Sequence, residues 1–190
     1  MSATNRGSKR IESDFYPTPT ETIDIFLKNY DIGKNSSILE PCAGNGNIVE
    51  SLQKIGCMNI DAVEIRKEEF ENLIDKVGIG HVAICDFLTM NNKFLVDKYD
   101  IIITNPPYNL AQEFVEKSLE VIKPGGTVIM LLRTNFLESK KRFSFWQKNK
   151  LNGLYVLSKR PSFTGKGTDA TSYSWFIWTK SEEKQTIKVI

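Results

Sequence analysis

Residues 36–54 read SSILEPCAGNGNIVESLQK, and this stretch decides the fold. A short apolar segment runs into Glu40 and Pro41, and residues 48–54 have the apolar spacing of a helix. Between them the backbone can turn tightly because the residues are small, namely Ala43, Gly44 and Gly46. A strand, a glycine turn and a helix in this order are typical of the first crossover in an open α/β sheet, where a nucleoside or amino-acid ligand can lie against the main chain.

The glycine turn matches neither of the two common phosphate-binding loops. No GxxxxGK[ST] segment occurs, which excludes a P-loop. A full GxGxxG fingerprint is also missing, because Val49 stands where its last glycine would be. The turn therefore argues against nucleoside triphosphates and nicotinamide dinucleotides as ligands.

Strand and helix patterns alternate through the rest of the chain. Further apolar segments predict strands at residues 59–65, 81–85, 99–104, 127–132, 152–157 and 172–178. Amphipathic segments at residues 20–30 and 111–122 predict helices, and the second ends before Pro124. Strands that alternate with helices imply parallel crossovers, so the sequence predicts a three-layer α/β fold.

Acidic residues follow two of the predicted strands. Glu64 and Ile65 end the second strand, about twenty residues after the glycine turn, where an acidic side chain in nucleoside-binding folds accepts hydrogen bonds from a ribose diol. Asp86 and Phe87 follow the third strand. A carboxylate there can accept from an adenine amine while the ring stacks on the purine, although burial in the core is the commoner fate of a phenylalanine.

Asn105, Pro106, Pro107 and Tyr108 follow the fourth predicted strand. Two consecutive prolines remove two backbone donors and stop the strand, which leaves a stiff loop at its carboxyl end. An amide oxygen and the Pro106 carbonyl can accept both hydrogens of a planar amino group while Tyr108 stacks on the attached ring. The alternative is a purely structural role in which the prolines only end the strand.

Four segments together carry a resemblance to a known family. They are FYPTP at residues 15–19, LEPCAGNG at 39–46, DF at 86–87 and TNPPY at 104–108. In this combination the chain resembles the S-adenosylmethionine-dependent amino-methyltransferases of the DNA adenine-N6 type, and within that group the small phage or prophage forms. The resemblance covers residues 14–180.

The resemblance implies a fold and a cofactor. The implied fold is a Rossmann-like sheet of seven strands, mostly parallel, in which the last hairpin supplies one antiparallel strand. The implied cofactor is S-adenosyl-L-methionine, with the segment at residues 15–19 folded over its methionine end. The residues predicted to bind it are Tyr16, Pro17, Thr18, Glu40, Pro41, Ala43, Gly44, Gly46, Glu64, Ile65, Asp86, Phe87 and Asn105.

The activity that the resemblance implies is methyl transfer to the exocyclic N6 amine of adenine in DNA, with residues 105–108 as the catalytic motif. Phe163 is implied to hold the target base opposite Tyr108, and Lys166 is a candidate for contact with a phosphate. For these two residues the alternatives are a ring folded onto the sheet and a solvated charge. For the activity, the alternatives are RNA adenine, DNA cytosine N4, a protein glutamine, or a noncatalytic binding module.

Length and composition favour one catalytic domain. A chain of 190 residues suits a single domain, which we expect at residues 14–180 between a flexible basic tail at 1–13 and a C-terminal tail at 181–190. The residues after the NPPY motif are mostly needed to complete the sheet. We therefore expect no separate target-recognition domain, and a partner or second subunit is one alternative source of target selection.

The charge is nearly balanced, with 25 basic and 23 acidic residues and a net charge of +2. Affinity for nucleic acid, with DNA favoured over RNA, must then come from local clusters of basic residues. One cluster lies in the first ten residues, and another spans residues 140–150. Because charge runs usually face water, a solvated helix face is the favoured interpretation of the second cluster.

Three cysteines form no CxxC pair and His81 is the only histidine, so we predict neither a disulfide framework nor a metal site. The amino terminus has no apolar signal core, and no apolar run is long enough to cross a bilayer. These features predict a cytoplasmic protein that does not associate with membranes, and the family resemblance implies a bacterial or phage-infected cell. The oligomeric state stays open.

Overall fold

The computed structural model describes residues 17–163 and 167–180 together with the backbone of residues 186–189. The basic tail predicted at residues 1–13 lies outside these ranges. The helices are α1 (Thr20–Asn29), α2 (Asn47–Lys54), α3 (Phe70–Val77), α4 (Ala111–Val121) and α5 (Phe143–Lys148). The strands are β1 (Ile38–Glu40), β2 (Ile60–Glu64), β3 (Val82–Ile84), β4 (Ile101–Thr104), β5 (Thr127–Arg133), β6 (Gly153–Val156), β7 (Tyr173–Thr179) and β8 (Thr186–Val189). No helix within the described ranges is long and apolar enough to cross a membrane.

The described strands form one sheet in the order β3-β2-β1-β4-β5-β7-β6-β8. The pairs β3–β2, β2–β1, β1–β4 and β4–β5 are parallel, and β7 is antiparallel to both β5 and β6. The predicted arrangement of seven strands with one antiparallel strand is therefore confirmed.

An eighth strand extends this sheet at its edge, where the sequence predicted only a C-terminal tail. β8 pairs in parallel with β6, with Gly153 opposite Thr186 and Val156 opposite Val189. Three of its four residues are β-branched and suit a strand. The pairing covers the backbone groups that β6 would otherwise expose at the sheet edge.

Helices cover both faces of the sheet, which confirms the predicted three layers. Strand side chains alternate between the faces: in β5, Val128, Met130 and Leu132 pack on one side, and Ile129 and Leu131 on the other. Residues of α1 and α2 pack on the face of Ile129, and residues of α4 and α5 pack on the face of Val128. Burial of these apolar side chains on both faces supplies the main favourable term for folding.

The carboxyl ends of the parallel strands meet at one edge of the sheet. β1, β2 and β4 end there at Glu40, Glu64 and Thr104, and α2 begins there after the glycine turn. β5 ends at Arg133, which the antiparallel register places opposite Tyr173 at the start of β7. This edge therefore gathers polar side chains from five strands.

Candidate active site

A cleft of about 680 Å³ opens at the carboxyl edge of the sheet. Its volume falls within the range of small-molecule and cofactor sites. The predicted site residues that line it are Pro17, Thr18, Ala43, Gly44, Glu64, Ile65, Asn105, Pro106, Pro107, Tyr108 and Phe163. Tyr16 and Lys166 lie outside the described residues. The fold thus brings most of the predicted residues to one cleft, and their roles there stay predictions.

The glycine turn shapes the floor of the cleft. Gly44 and Gly46 have positive φ angles of 55° and 83°, and the Gly46 amide donates to the Ala43 carbonyl at 2.8 Å. A Cβ atom at Gly46 would approach Lys76 Cδ to 2.6 Å, so a side chain there would be both strained and crowded. Gly46 is buried and does not line the cleft, so it sets the turn rather than contacting a ligand.

Glu64 fixes the end of β2 to this turn. Its Oε2 accepts from the Gly44 amide at 2.7 Å, and its Oε1 accepts from the Arg66 amide at 2.9 Å and from Arg66 Nε at 3.2 Å. The side chain is only 3% exposed. An ionised carboxylate can accept about four hydrogen bonds, so one position remains for the predicted ribose hydroxyl.

Glu40 and Pro41 directly precede the glycine turn, and their predicted contact with the cofactor stays a prediction. Glu40 is fully buried at the end of the central strand β1, and neither residue lines the cleft. Glu40 Oε1 accepts from the Cys42 amide at 3.2 Å, while Oε2 has no partner among the described residues. Burial raises the pKa of Glu40 to about 8, and the neighbouring Glu64 adds to this effect. The two residues therefore support the turn from beneath.

Replacement of Glu40 by glutamine tests this burial through the pH dependence of stability. In the folded protein the Glu40 carboxyl has a pKa of about 8, whereas its ordinary pKa, which applies to the unfolded chain, is 4.5. Between these two values the unfolded chain loses the proton and the folded protein keeps it. Wild-type stability should therefore fall relative to the Gln variant as pH rises through this window, by at most about 1.4 kcal/mol per pH unit. Urea denaturation of both proteins at pH 5 and pH 8 measures the change. An equal stability difference at both pH values would contradict it.

Asp86 and Phe87 are not brought into the cleft. Phe87 is 2% exposed and packs against Phe114 of α4, with ring centroids 5.5 Å apart. Asp86 Oδ1 accepts from the Leu88 amide at 2.8 Å, which stabilises a turn after β3. Neither residue lines the cleft, and the predicted adenine contact stays a prediction.

The NPPY motif and residues 17–18 are joined by hydrogen bonds. Asn105 Nδ2 donates to Thr18 Oγ1 at 2.9 Å, and Asn47 Nδ2 at the start of α2 donates to the Thr18 carbonyl at 2.8 Å. Asn105 Oδ1 is buried and has no hydrogen-bond partner among the described residues. The Pro106 carbonyl likewise accepts from no described donor. Two adjacent acceptors at the cleft are thus left available.

Tyr108 presents an aromatic ring beside these acceptors. Its hydroxyl is buried without a hydrogen-bond partner among the described residues, and burial raises its pKa well above the ordinary value. The ring centroid lies 5.4 Å from that of Tyr173 and 6.5 Å from that of Phe163, which meets it edge to face. The Arg133 guanidinium lies 5.1 Å from the same centroid. Tyr108 is therefore a neutral ring in an aromatic wall of the cleft.

Several residues that complete this wall were not predicted from the sequence. Asn47 anchors Thr18, Arg133 covers part of Tyr108, and the Tyr173 hydroxyl donates to Asp169 at 2.9 Å. A signal for Arg133 was present, because it directly follows the apolar strand segment 127–132 and so falls at the carboxyl edge. No comparable local signal marked Asn47, whose role depends on a contact with a distant segment.

The amino-acid sequence is similar to those of known methyltransferases. No protein-family model matches the chain. The chain is 29% identical over 161 residues to the Type II methyltransferase M.HincII of Haemophilus influenzae, covering 70% of this chain and 30% of that protein. It is 28% identical over 123 residues to the mitochondrial ribosomal RNA small subunit methyltransferase of Arabidopsis thaliana, covering 63% and 32%. The chain thus spans less than a third of either relative.

The fold is shared with solved structures. A candidate class I S-adenosylmethionine-dependent methyltransferase from Listeria monocytogenes superimposes with a TM-score of 0.64 at 17% identity, over 97% of this chain and 68% of that one. The resemblance to S-adenosylmethionine-dependent DNA methyltransferases drawn from the motifs is confirmed by the similarity to a type II methyltransferase. The chain therefore has the fold of the class I S-adenosylmethionine-dependent methyltransferases.

Proposed function

We propose that this protein binds S-adenosyl-L-methionine in the cleft and transfers its methyl group to the exocyclic N6 amine of adenine in DNA. One observation carries the proposal: the buried Asn105 Oδ1 and the neighbouring Pro106 carbonyl are both unpartnered among the described residues. A buried acceptor without a hydrogen-bond partner destabilises the folded protein. The presence of such an acceptor in the cleft therefore favours a ligand that donates the missing hydrogen bond.

The glycine turn and the end of β2 fit the cofactor. The positive φ angle at Gly44 brings bare backbone to the cleft, the one at Gly46 sets the turn behind it, and Glu64 offers a remaining acceptor for a ribose. Pro17 and Thr18 are tied to the catalytic loop through Asn105, which suits a segment that closes over the methionine end. When bound, S-adenosylmethionine would supply a methyl group on a sulfonium centre, which leaves as a neutral thioether.

Asn105 and Pro106 would activate the acceptor nitrogen. The lone pair of an aromatic amine is delocalised into the ring, so the amine is a poor nucleophile. Acceptance of both N–H hydrogens by Asn105 Oδ1 and the Pro106 carbonyl would localise the lone pair and stabilise the positive charge that develops on nitrogen. Two prolines hold the loop rigid, so the acceptors are positioned before the substrate arrives. The excess proton then passes from nitrogen to solvent.

Tyr108 and Phe163 would hold the base beside these acceptors. Their rings meet edge to face at the cleft and belong to the same wall as Tyr173. Stacking on an aromatic side chain contributes about 1–3 kcal/mol per base, comparable to the cost of unstacking one nucleotide. The ring wall therefore suits a nucleotide taken out of its stack.

DNA is the polymer we favour, and RNA is the second candidate. The similarity to a type II methyltransferase covers more of this chain, at 70%, than does the similarity to a ribosomal RNA methyltransferase, at 63%. The presence of the second relative favours RNA adenine as the alternative polymer. We further propose that residues 14–180 act as one catalytic domain in the cytoplasm.

Incubation with methyl-labelled S-adenosylmethionine and separate pools of duplex DNA, single-stranded DNA, RNA and protein tests the proposal. We expect label in DNA, and N6-methyl-2′-deoxyadenosine after nuclease digestion and mass spectrometry. Heat-denatured protein, incubated in the same way with each pool, serves as the control for carry-over of label. Label in RNA would shift the polymer to the second candidate, whereas label in protein alone or in no pool would overturn the proposal.

A further inference from the structure

Residues 133–150, named here the basic segment, contain many more basic than acidic residues. They contain one acidic residue, Glu138, and six basic residues, which are Arg133, Lys140, Lys141, Arg142, Lys148 and Lys150. The whole chain has 25 basic and 23 acidic residues, so outside this segment acidic residues exceed basic ones. Positive charge is therefore concentrated on one part of a nearly neutral protein.

An internal clamp shapes the turn that carries Lys140 and Lys141. Arg142 Nη1 donates to the Glu138 carbonyl at 2.9 Å and to the Phe136 carbonyl at 3.3 Å. Ser139 has a φ of 124°, which is unusual for a residue with a side chain, and its Oγ accepts from the Lys141 amide. Such backbone strain persists only where the surrounding structure holds it.

The underside of the basic segment is anchored in the core. Phe145 and Trp146 of α5 pack on each other at 4.9 Å between ring centroids, and Trp146 stacks on Trp178 of β7 at 6.1 Å. Phe136 also contacts Phe145, at 5.8 Å. The aromatic side of the segment thus faces the sheet, which directs the lysines to the surface.

The lysines of the basic segment are exposed and free of ion pairs. Lys140, Lys141, Lys148 and Lys150 are all exposed, and none lies within 4.0 Å of a carboxylate oxygen of the described residues. The ring of Phe143, next to this turn, is 66% exposed. Proteins that bind single-stranded nucleic acid combine positive charges along the phosphate backbone with aromatic rings on which bases stack. The unpaired ammonium groups and the exposed Phe143 ring match these two features.

The basic segment is continuous with the candidate active site. Arg133, Phe136 and Arg142 line the same cleft as Asn105 and Tyr108. We therefore expect a nucleic-acid strand whose target base enters the cleft to continue across the surface of the basic segment. Phosphates repeat at each nucleotide along such a strand, so charges at and beyond the cleft can contact successive ones.

We infer that the basic segment binds the backbone phosphates of the nucleic-acid strand that flanks the target nucleotide, with Lys140 and Lys141 as its outer contacts. This inference rests on the proposed function for the identity of the polymer. It replaces the interpretation of this cluster as a merely solvated helix face, because the charge is locally concentrated, unpaired and joined to the cleft.

The double variant Lys140→Gln/Lys141→Gln tests the inference. Its binding to a fluorescein-labelled single-stranded DNA 20-mer should be about tenfold weaker than wild type near 0.1 M salt. The slope of log K against log salt should become shallower by roughly 1.4, since each phosphate contact with a single strand contributes about 0.7. Fluorescence anisotropy over a salt series measures both quantities.

The variant Lys54→Gln/Lys93→Gln is the matched control. It removes the same charge from two exposed lysines, one at the end of α2 and one between β3 and β4. Because α2 starts at the carboxyl edge and runs back along the sheet, Lys54 lies away from the cleft. The control should bind DNA nearly as wild type does, and both variants should bind S-adenosylmethionine equally in calorimetry.

The outcomes separate this inference from the proposed function. Equal weakening by the two double variants, or no weakening by Lys140→Gln/Lys141→Gln, overturns the inference even if wild type methylates DNA. Equal competition by polyglutamate and by unlabelled oligonucleotide also overturns it, because the segment would then bind any polyanion. Selective weakening with no methyl transfer to any nucleic acid would support the binding surface and reject the proposed reaction.

Discussion

Replacement of Asn105 by alanine should lower kcat for methyl transfer by at least about two to three orders of magnitude. The variant loses Oδ1, the buried acceptor that we propose binds one hydrogen of the target amine. Affinity for S-adenosylmethionine should be largely retained, because the Asn47 bond to the Thr18 carbonyl still anchors the segment at residues 17–18. Single-turnover transfer of labelled methyl groups at saturating substrates measures the first effect, and calorimetry measures the second.

Two further variants make the Asn105 result specific. Asn105→Asp keeps an oxygen acceptor, to which Thr18 Oγ1 can donate instead of accepting, so this variant should retain measurable transfer where Asn105→Ala does not. Asn109→Ala removes an exposed amide that lines the same cleft but has no part in the proposed transfer, and it should leave kcat near the wild-type value. Wild-type kcat in Asn105→Ala would reject the assignment of Oδ1 as an acceptor of the amine.

The sequence predicted those parts of the site whose conformation depends on residues close together in the chain. The glycine turn needs small residues at adjacent positions, and the NPPY motif stops its strand by removing backbone donors, so both could be found without a structure. Parallel strands place their carboxyl ends at one edge, so Glu64 and Asn105 could be placed at a common site from the strand pattern alone. The structure brings both to the same cleft.

Other features depended on packing between distant segments. Phe87 could serve the ligand or the core by its sequence, and only the contact with Phe114 of α4 places it in the core. The burial of Glu40 follows from the interior position of β1 between β2 and β4, which sequence order does not reveal. The pairing of β8 with β6 is likewise a contact between segments far apart in the chain. Tertiary packing decides such cases where local propensity is neutral.

Replacement of Tyr108 by alanine should raise KM for the nucleic-acid substrate about tenfold to a hundredfold, because base stacking contributes about 1–3 kcal/mol. The acceptors at Asn105 and Pro106 remain, so kcat at saturating DNA should fall much less than in Asn105→Ala. Binding of S-adenosylmethionine, measured by calorimetry on the same preparation, reports whether the cleft stays intact after loss of a large buried side chain. An unchanged KM would count against stacking of the base on this ring.

The variant Tyr108→Phe separates the ring from its hydroxyl. The hydroxyl is buried and makes no hydrogen bond of ordinary geometry among the described residues, and Tyr173 is a polar neighbour that helps to raise its pKa, so its removal should cost little. The ring still contacts Phe163 and Tyr173 and still lies beneath the Arg133 guanidinium. We therefore expect kcat and KM of Tyr108→Phe to match wild type. If Tyr108→Phe lost as much activity as Tyr108→Ala, the hydroxyl would have to act on the substrate directly, and a role limited to stacking would be untenable.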